Sequence, residues 1–315
     1  MREVGKVQAT LIGFVAVLLW SLLALFTVGS GAIPPFQLAA VCFPIGGLIG
    51  LLDILRRGAS VGAALGQPAR VWVLGVVGLF GYHFFYFTAL RNAPAAEAGL
   101  IAYLWPLLIV LLSSALPGER LRTGHVIGAG LGFAGAALIL SGGGAFAFDD
   151  AHAFGFGAAL ACALLWSSYS VLSRVMGEAP TESVTGFCFA AGALSLVCHL
   201  ALEQTVWPAT ALEWASVLCL GLGPVGLAFY VWDIGVKRGD IQLLGVSSYA
   251  APLLSTLALI GVGYAEATKT ILAAAGLIVA GSLIAAMASL KAASPQRQAP
   301  LKHEAPESSP DPSAE

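Results

Sequence analysis

The chain repeats itself at a constant step of 146 residues. Leu18-Leu19-Trp20-Ser21 returns as Leu164-Leu165-Trp166-Ser167, and Tyr103 with Pro106-Leu107-Leu108 returns as Tyr249 with Pro252-Leu253-Leu254. Gly75, Gly130 and Gly135 return as Gly221, Gly276 and Gly281. One step relating separate regions restricts the fold to two duplicated halves. The solvent is set by composition, because 58% of the residues are hydrophobic and only 10% charged. Apolar runs lie near residues 7–28, 34–52, 71–90, 95–116, 124–140, 153–173, 182–202, 214–235, 241–262 and 270–290. Each approaches the roughly 20 residues that carry an α-helix across about 30 Å of hydrocarbon. Lipid offers no partner to an open backbone, so these runs are helices.

The expected fold is therefore an all-α polytopic membrane protein, with ten transmembrane helices in two five-helix repeats around a central cavity. Five is odd, so the second repeat enters the membrane inverted relative to the first. With a cytoplasmic N-terminus, Arg2, Lys6, Arg56, Arg57, Arg70, Arg120, Arg122, Arg174, Lys237, Arg238, Lys291, Arg297 and Lys302 fall inside, while Arg91 and Lys269 fall outside. That bias obeys the positive-inside rule. The expected order is a cytoplasmic N-terminus over 1–6, the first repeat over 7–140, an external linker over 141–152, the inverted repeat over 153–291 and a disordered cytoplasmic tail over 292–315. The tail reading rests on its Ser, Pro, Gln, Glu and Ala content, which has no apolar periodicity. The first run is longer than a signal-peptide core, and its Trp20-Ser21 recurs internally, so it stays as a helix.

Catalytic chemistry finds no footing. Cys42, Cys162, Cys188, Cys198 and Cys219 show no CxxC or Cys/His spacing, so they read as small buried hydrophobes and imply no metal. No Walker loop or HExxH occurs, and no cofactor is expected. Near the helix centres there is no Asp, Glu, Lys or Arg, the groups that mark ion pathways and counter-ions. Asp53, Glu97, Glu203, Asp233 and Asp240 fall near helix ends and read as interfacial, Asp233 pairing with Lys237.

The polar residues within the runs are the candidates. His83 is bracketed by Tyr82 and Tyr86, and helical spacing puts all three on one broad side. His199 has no such company and reads as structural. Pro106 and Pro252 occupy equivalent places in the two halves; a proline inside a helix leaves the carbonyl four residues earlier unpaired, which transporters tolerate where the helix lines a cavity. Beside them stand Tyr103 and Trp105 in one half, Ser248 and Tyr249 in the other. Tyr103 and Trp105 are nearly opposite on an ideal helix, and which of them faces the cavity stays open. Trp20 and Trp166 lie inside the runs rather than at the interface belt, so their N–H groups favour a cavity over lipid.

Two inverted five-helix repeats, a fourth-helix proline and Gly118-Glu119 before a Gly-rich fifth helix resemble the drug/metabolite transporter superfamily, its EamA-type ten-helix exporters, over residues 7–291. Within it, Ala9-Thr-Leu-Ile-Gly13 with Leu19-Trp-Ser21, and Tyr103-Leu-Trp-Pro106, are similar to bacterial aromatic amino acid exporters. The resemblance implies an inner-membrane exporter with a pocket formed mainly by helices 1, 3, 4, 6, 8 and 9. The second half reads Tyr249-Ala-Ala-Pro252, without the Trp, and the first helix has no Glu such as small multidrug members carry. The residues lead to a compatible expectation. A pocket of Tyr, Trp, Ser and one His suits a small zwitterion with an aromatic or apolar side chain. Tyr82, Tyr86, Tyr103, Trp105 and Trp166 are expected to make ring contacts, His83 and Ser248 polar contacts, and Trp20, Pro106, Tyr249 and Pro252 to line or bend the cavity. The expected partners are aromatic or other neutral amino acids and the lipid bilayer, with no nucleic acid, in a protein that functions as a monomer. The alternative is a same-fold exporter of threonine, cysteine or a lipophilic drug; an enzyme is not expected.

Overall fold

The computed structural model describes residues 5–177, 179–264 and 266–293. Among these residues are ten helices long and apolar enough to cross a membrane: α1 (Lys6–Gly29), α2 (Pro35–Arg56), α3 (Ala69–Asn92), α4 (Ala95–Ala115), α5 (Thr123–Ser141), α6 (Asp150–Val175), α7 (Thr181–Leu202), α8 (Ala211–Arg238), α9 (Ile241–Gly261) and α10 (Lys269–Lys291). Their boundaries depart from the apolar runs where caps extend them. α8 starts earlier than its run because Thr210 and Glu213 form a capping box, the Thr210 hydroxyl accepting from the Glu213 N–H at 3.2 Å. The expected linker is shortened from both ends. Ser141 still belongs to α5, which Gly142 closes at φ 60°, and Asp150–His152 forms a 3-10 turn leading into α6. Ala292 and Ala293 continue the last helix, while the remainder of the expected tail and residues 1–4 lie outside the described residues.

Several spans are not plain α-helices. α3 contains a π-helical turn over Val77–Gly81 and α8 one over Gly223–Leu227, again 146 residues apart. α4 breaks at Tyr103–Leu104 and α9 at Ser248–Tyr249. The prolines explain the breaks differently from the expectation of a gap in mid-helix. Each helix stops just before its proline and restarts as Trp105–Leu112 and Ala250–Gly261, so Pro106 and Pro252 lie in a first turn, where a missing N–H costs nothing. The turns tighten to i→i+3 bonds, Leu104 N to Ile101 O at 3.1 Å and Tyr249 N to Val246 O at 3.2 Å. Leu107 N, displaced from the helical ladder, donates to the Tyr249 hydroxyl at 3.2 Å. A residue of one half thus satisfies the broken backbone of the other.

α1 packs on α8 and α3 on α6, while α2 packs on α7 and α5 on α10. Small residues allow these crossings, since lipid supplies no hydrophobic force between helices and close backbone approach must provide the attraction. A Cβ added to Gly13 would sit 2.8 Å from the Gly235 Cα, and one on Gly128 would sit 2.5 Å from the Gly281 carbonyl. At the positions matching Gly13 and Gly235 the repeat has Ala159 and Ala89, both fully buried. The α3–α6 crossing therefore keeps its side chains at the point where α1 and α8 have none.

Candidate functional site

Four tryptophans meet at the centre. Trp20 of α1 has ring-centroid distances of 6.1 Å to Trp105 of α4, 5.6 Å to Trp166 of α6 and 5.1 Å to Trp232 of α8. Trp166 and Trp232 are stacked at 6.2 Å, and Trp105 stands edge-on to both. Buried indole N–H groups need partners. Trp20 donates to the Pro224 carbonyl at 3.1 Å, inside the π-helical turn of α8, and Trp232 to the Ser170 hydroxyl at 3.0 Å. The cluster continues along α3. Tyr82 lies 5.5 Å from Trp166 and stacks on Tyr86 at 5.9 Å and 9°.

His83 adjoins this wall among Phe43 at 5.0 Å, Tyr82 at 5.2 Å and Phe229 at 6.3 Å. Its Nδ1 lies 2.7 Å from the Leu79 carbonyl of its own helix. A carbonyl only accepts, so Nδ1 carries the proton and Nε2 of the neutral ring is left as an acceptor.

The expected site residues thus divide. Trp20, Tyr82, His83, Tyr86, Trp105 and Trp166 come together, and Trp105 is the member of its pair that joins the tryptophans. Tyr103 packs instead towards a second cluster with Val110, Ala129 and Tyr249. Ser248 is fully buried with its hydroxyl donated to the Leu244 carbonyl at 2.8 Å. Tyr249 packs on Phe133 at 6.3 Å and is tied to Leu107, so these two residues hold the α9 break rather than line the ring cluster.

Ion pairs close both ends of the bundle. At one end Arg91 of α3 meets Glu203 after α7 at 2.6 Å; that carboxylate also accepts from the Phe36 and Gln37 N–H groups at 3.1 and 3.0 Å, capping α2 from outside the helix. His199 joins it, Nδ1 lying 3.1 Å from the same carboxylate. At the other end Gly118, at φ 81°, turns the chain so that Glu119 reaches Arg174 of α6 at 2.7 Å. Arg174 also donates to the Val236 and Gly239 carbonyls at 3.2 and 2.8 Å. Asp233 and Lys237, one turn apart on α8, pair at 2.9 Å, as their spacing suggested.

Residues 8–141 and 153–287 each match the model of the EamA-like transporter family. The chain belongs to that family. This EamA-like transporter is 55% identical to a protein of Ancylobacter novellus named aromatic amino acid exporter YddG, over 90% of this chain and 98% of that one. A protein of the same name from Salmonella typhimurium is 25% identical over 79% of this chain and 86% of its own. A crystal structure with 54% identity superposes with a TM-score of 0.86, covering 91% of this transporter and all of that chain.

Trp232, Phe229 and Phe43 join the cluster without a motif that marks them in the sequence. Hydropathy hides Trp232, because Asp233 and Lys237 next to it make that stretch look interfacial. The repeat step was the available signal, since it maps Tyr86 onto Trp232 and His83 onto Phe229.

Proposed function

We propose that this multi-pass membrane protein exports aromatic and related neutral amino acids across the bacterial inner membrane by alternating access. The carrying observation is the cluster of Trp20, Trp105, Trp166 and Trp232 extended by Tyr82 and Tyr86, a central wall of ring faces, hydroxyls and one imidazole. A substrate ring entering it exchanges ring contacts for others of the same kind, edge-to-face or offset. The name borne by the Ancylobacter relative supports the same substrate class.

Trp20 and Trp166 are repeat mates and touch, which supports a two-fold relation between the halves with the site beside its axis. With five helices per half that relation is an inversion, and the end holding Lys6, Arg57, Arg174 and Lys237 is cytoplasmic. Ring contacts fall to Tyr82, Tyr86, Trp105, Trp166 and Trp232. The acceptor for the polar end is His83 Nε2.

Counterflow into proteoliposomes of labelled phenylalanine, tryptophan, threonine and leucine tests the substrate class. Phenylalanine and tryptophan are expected to exchange fastest. Exchange of threonine, cysteine or a lipophilic cation, with none of either aromatic amino acid, would overturn it.

A further inference from the structure

Beside the tryptophan cluster, towards the Lys/Arg-rich end, α3, α6, α7 and α8 enclose a narrow cleft with room for little more than one water molecule, so a ligand must widen it to enter. Its walls include Tyr169, Ser173, Phe187, Ser183, Asp233 and Lys237. The cleft adjoins the central site, because the Tyr169 ring that lines it lies 5.2 Å from Trp166. Gly75 makes room for Phe187, where an added Cβ would come 2.4 Å from the ring.

Two features of the cleft offer polar groups to a ligand. The first is an ion pair in an apolar setting: the Asp233 and Lys237 side chains are 3% and 9% exposed. Burying such a pair brings little net stability over an apolar one of the same shape. The second is Ser183, a 2%-exposed hydroxyl with no hydrogen-bond partner. Native structures leave few such groups, and each calls for a reason. Asp233 accepts from the Thr181 hydroxyl at 2.7 Å, and Lys237 donates to the Ala179 carbonyl at 2.9 Å. These bonds fix both charges at the cleft.

We infer that this cleft is an entry subsite for the charged end of a zwitterionic amino acid, with Asp233 binding the ammonium, Lys237 and Ser183 the carboxylate, and the Tyr169 and Phe187 rings flanking the side chain. The inference rests on the amino-acid substrate proposed above. A free amino acid carries the same two charges as the pair, so it enters by parting them: its ammonium replaces Lys237 on Asp233 and its carboxylate replaces Asp233 on Lys237. The number of ion contacts rises from one to two, and the central aromatic site is left to select the ring. Export loads from this end, so the charge test precedes the ring test.

Competition against labelled tryptophan counterflow tests this, using tryptamine, which lacks the carboxylate, and indole-3-propionate, which lacks the ammonium. In the unaltered protein each analogue is expected to compete at least roughly tenfold more weakly than tryptophan, the loss of one charge-assisted contact. Asp233→Asn is expected to erase the handicap of indole-3-propionate, and Lys237→Gln that of tryptamine. A merely structural pair would slow all three ligands alike and leave the ratios unchanged, and that result overturns the inference. Ser183→Ala guards against misfolding, since it removes a hydroxyl that nothing in the protein uses; half-saturation for tryptophan is expected to rise severalfold, and an unchanged value counts against the subsite. If the unaltered protein exchanges no aromatic amino acid, the proposed function fails first and the subsite with it. If it does exchange them but the ratios stay fixed, only the subsite fails.

Discussion

Trp232 touches Trp20, Trp105 and Trp166 and anchors its N–H on Ser170, so removing it opens the central wall from the α8 side. Losing an aromatic platform costs about 1 to 3 kcal/mol, roughly a five- to hundredfold loss of affinity. Trp105→Ala, Trp166→Ala and Trp232→Ala are each expected to weaken tryptophan counterflow by that factor in protein that still reaches the membrane; full transport by well-expressed variants would place the site elsewhere. His83 offers an acceptor at Nε2 to the polar end of a substrate. His83→Gln keeps an acceptor and is expected to retain more transport than His83→Leu across a pH series. A Gln variant that loses proton-driven transport yet keeps exchange would instead make His83 a coupling residue. Trp20 and Trp166 are legible in the sequence because an aromatic with a polar edge does not belong against lipid, and Tyr82 because helical spacing sets it beside His83; between Tyr103 and Trp105 the sequence leaves the choice open. Proximity to proline points Tyr103 and Ser248 to the cavity and Tyr249 to its lining or bend, but a broken turn consumes polar groups of its own, and the Ser248 and Tyr249 hydroxyls serve the α9 break and its partner in α4.

The ten spans were legible because apolar length is the signal itself. Their interruptions were not, since a π-helical turn or a 3-10 step leaves hydropathy unchanged; only the paired prolines hinted at two of them. The α4 break depends on the other half of the molecule. Tyr249→Phe removes the acceptor for Leu107 N and leaves a buried donor unsatisfied, at a cost of about 1–3 kcal/mol. A thermal melt in detergent is expected to show a lower Tm, with tryptophan half-saturation little changed. An unchanged Tm would mean that Leu107 finds another partner, and the bridge between the breaks would carry no weight.

Across the whole molecule, charge asymmetry gives a topology that single cysteines can report. In a background lacking the native five, Ala145→Cys is expected to react with an impermeant thiol reagent in intact cells and Ser60→Cys to remain unlabelled; the opposite pattern would reverse the orientation. Between the two ends, the π-helical turns of α3 and α8 stand at the same step of the repeat. Such a turn holds one residue more than an α-helical turn, so each half carries one supernumerary residue at the matching place in the repeat. Deleting Phe80 should let α3 revert to unbroken α-helix with Tyr82 still facing Trp166. Deleting Val171 from α6, which has no such slack, should rotate the last turn of that helix by about 100°. Membrane yield and melting temperature of the two deletions are expected to diverge sharply in favour of the first; equal collapse would show that the bulge is fixed in place. If the first deletion folds but no longer transports, the supernumerary residue is what the protein moves with. A bulge that migrates by one position turns the aromatic face of a helix without lengthening it, so access could change hands by a ripple of register rather than by the swing of a hinge.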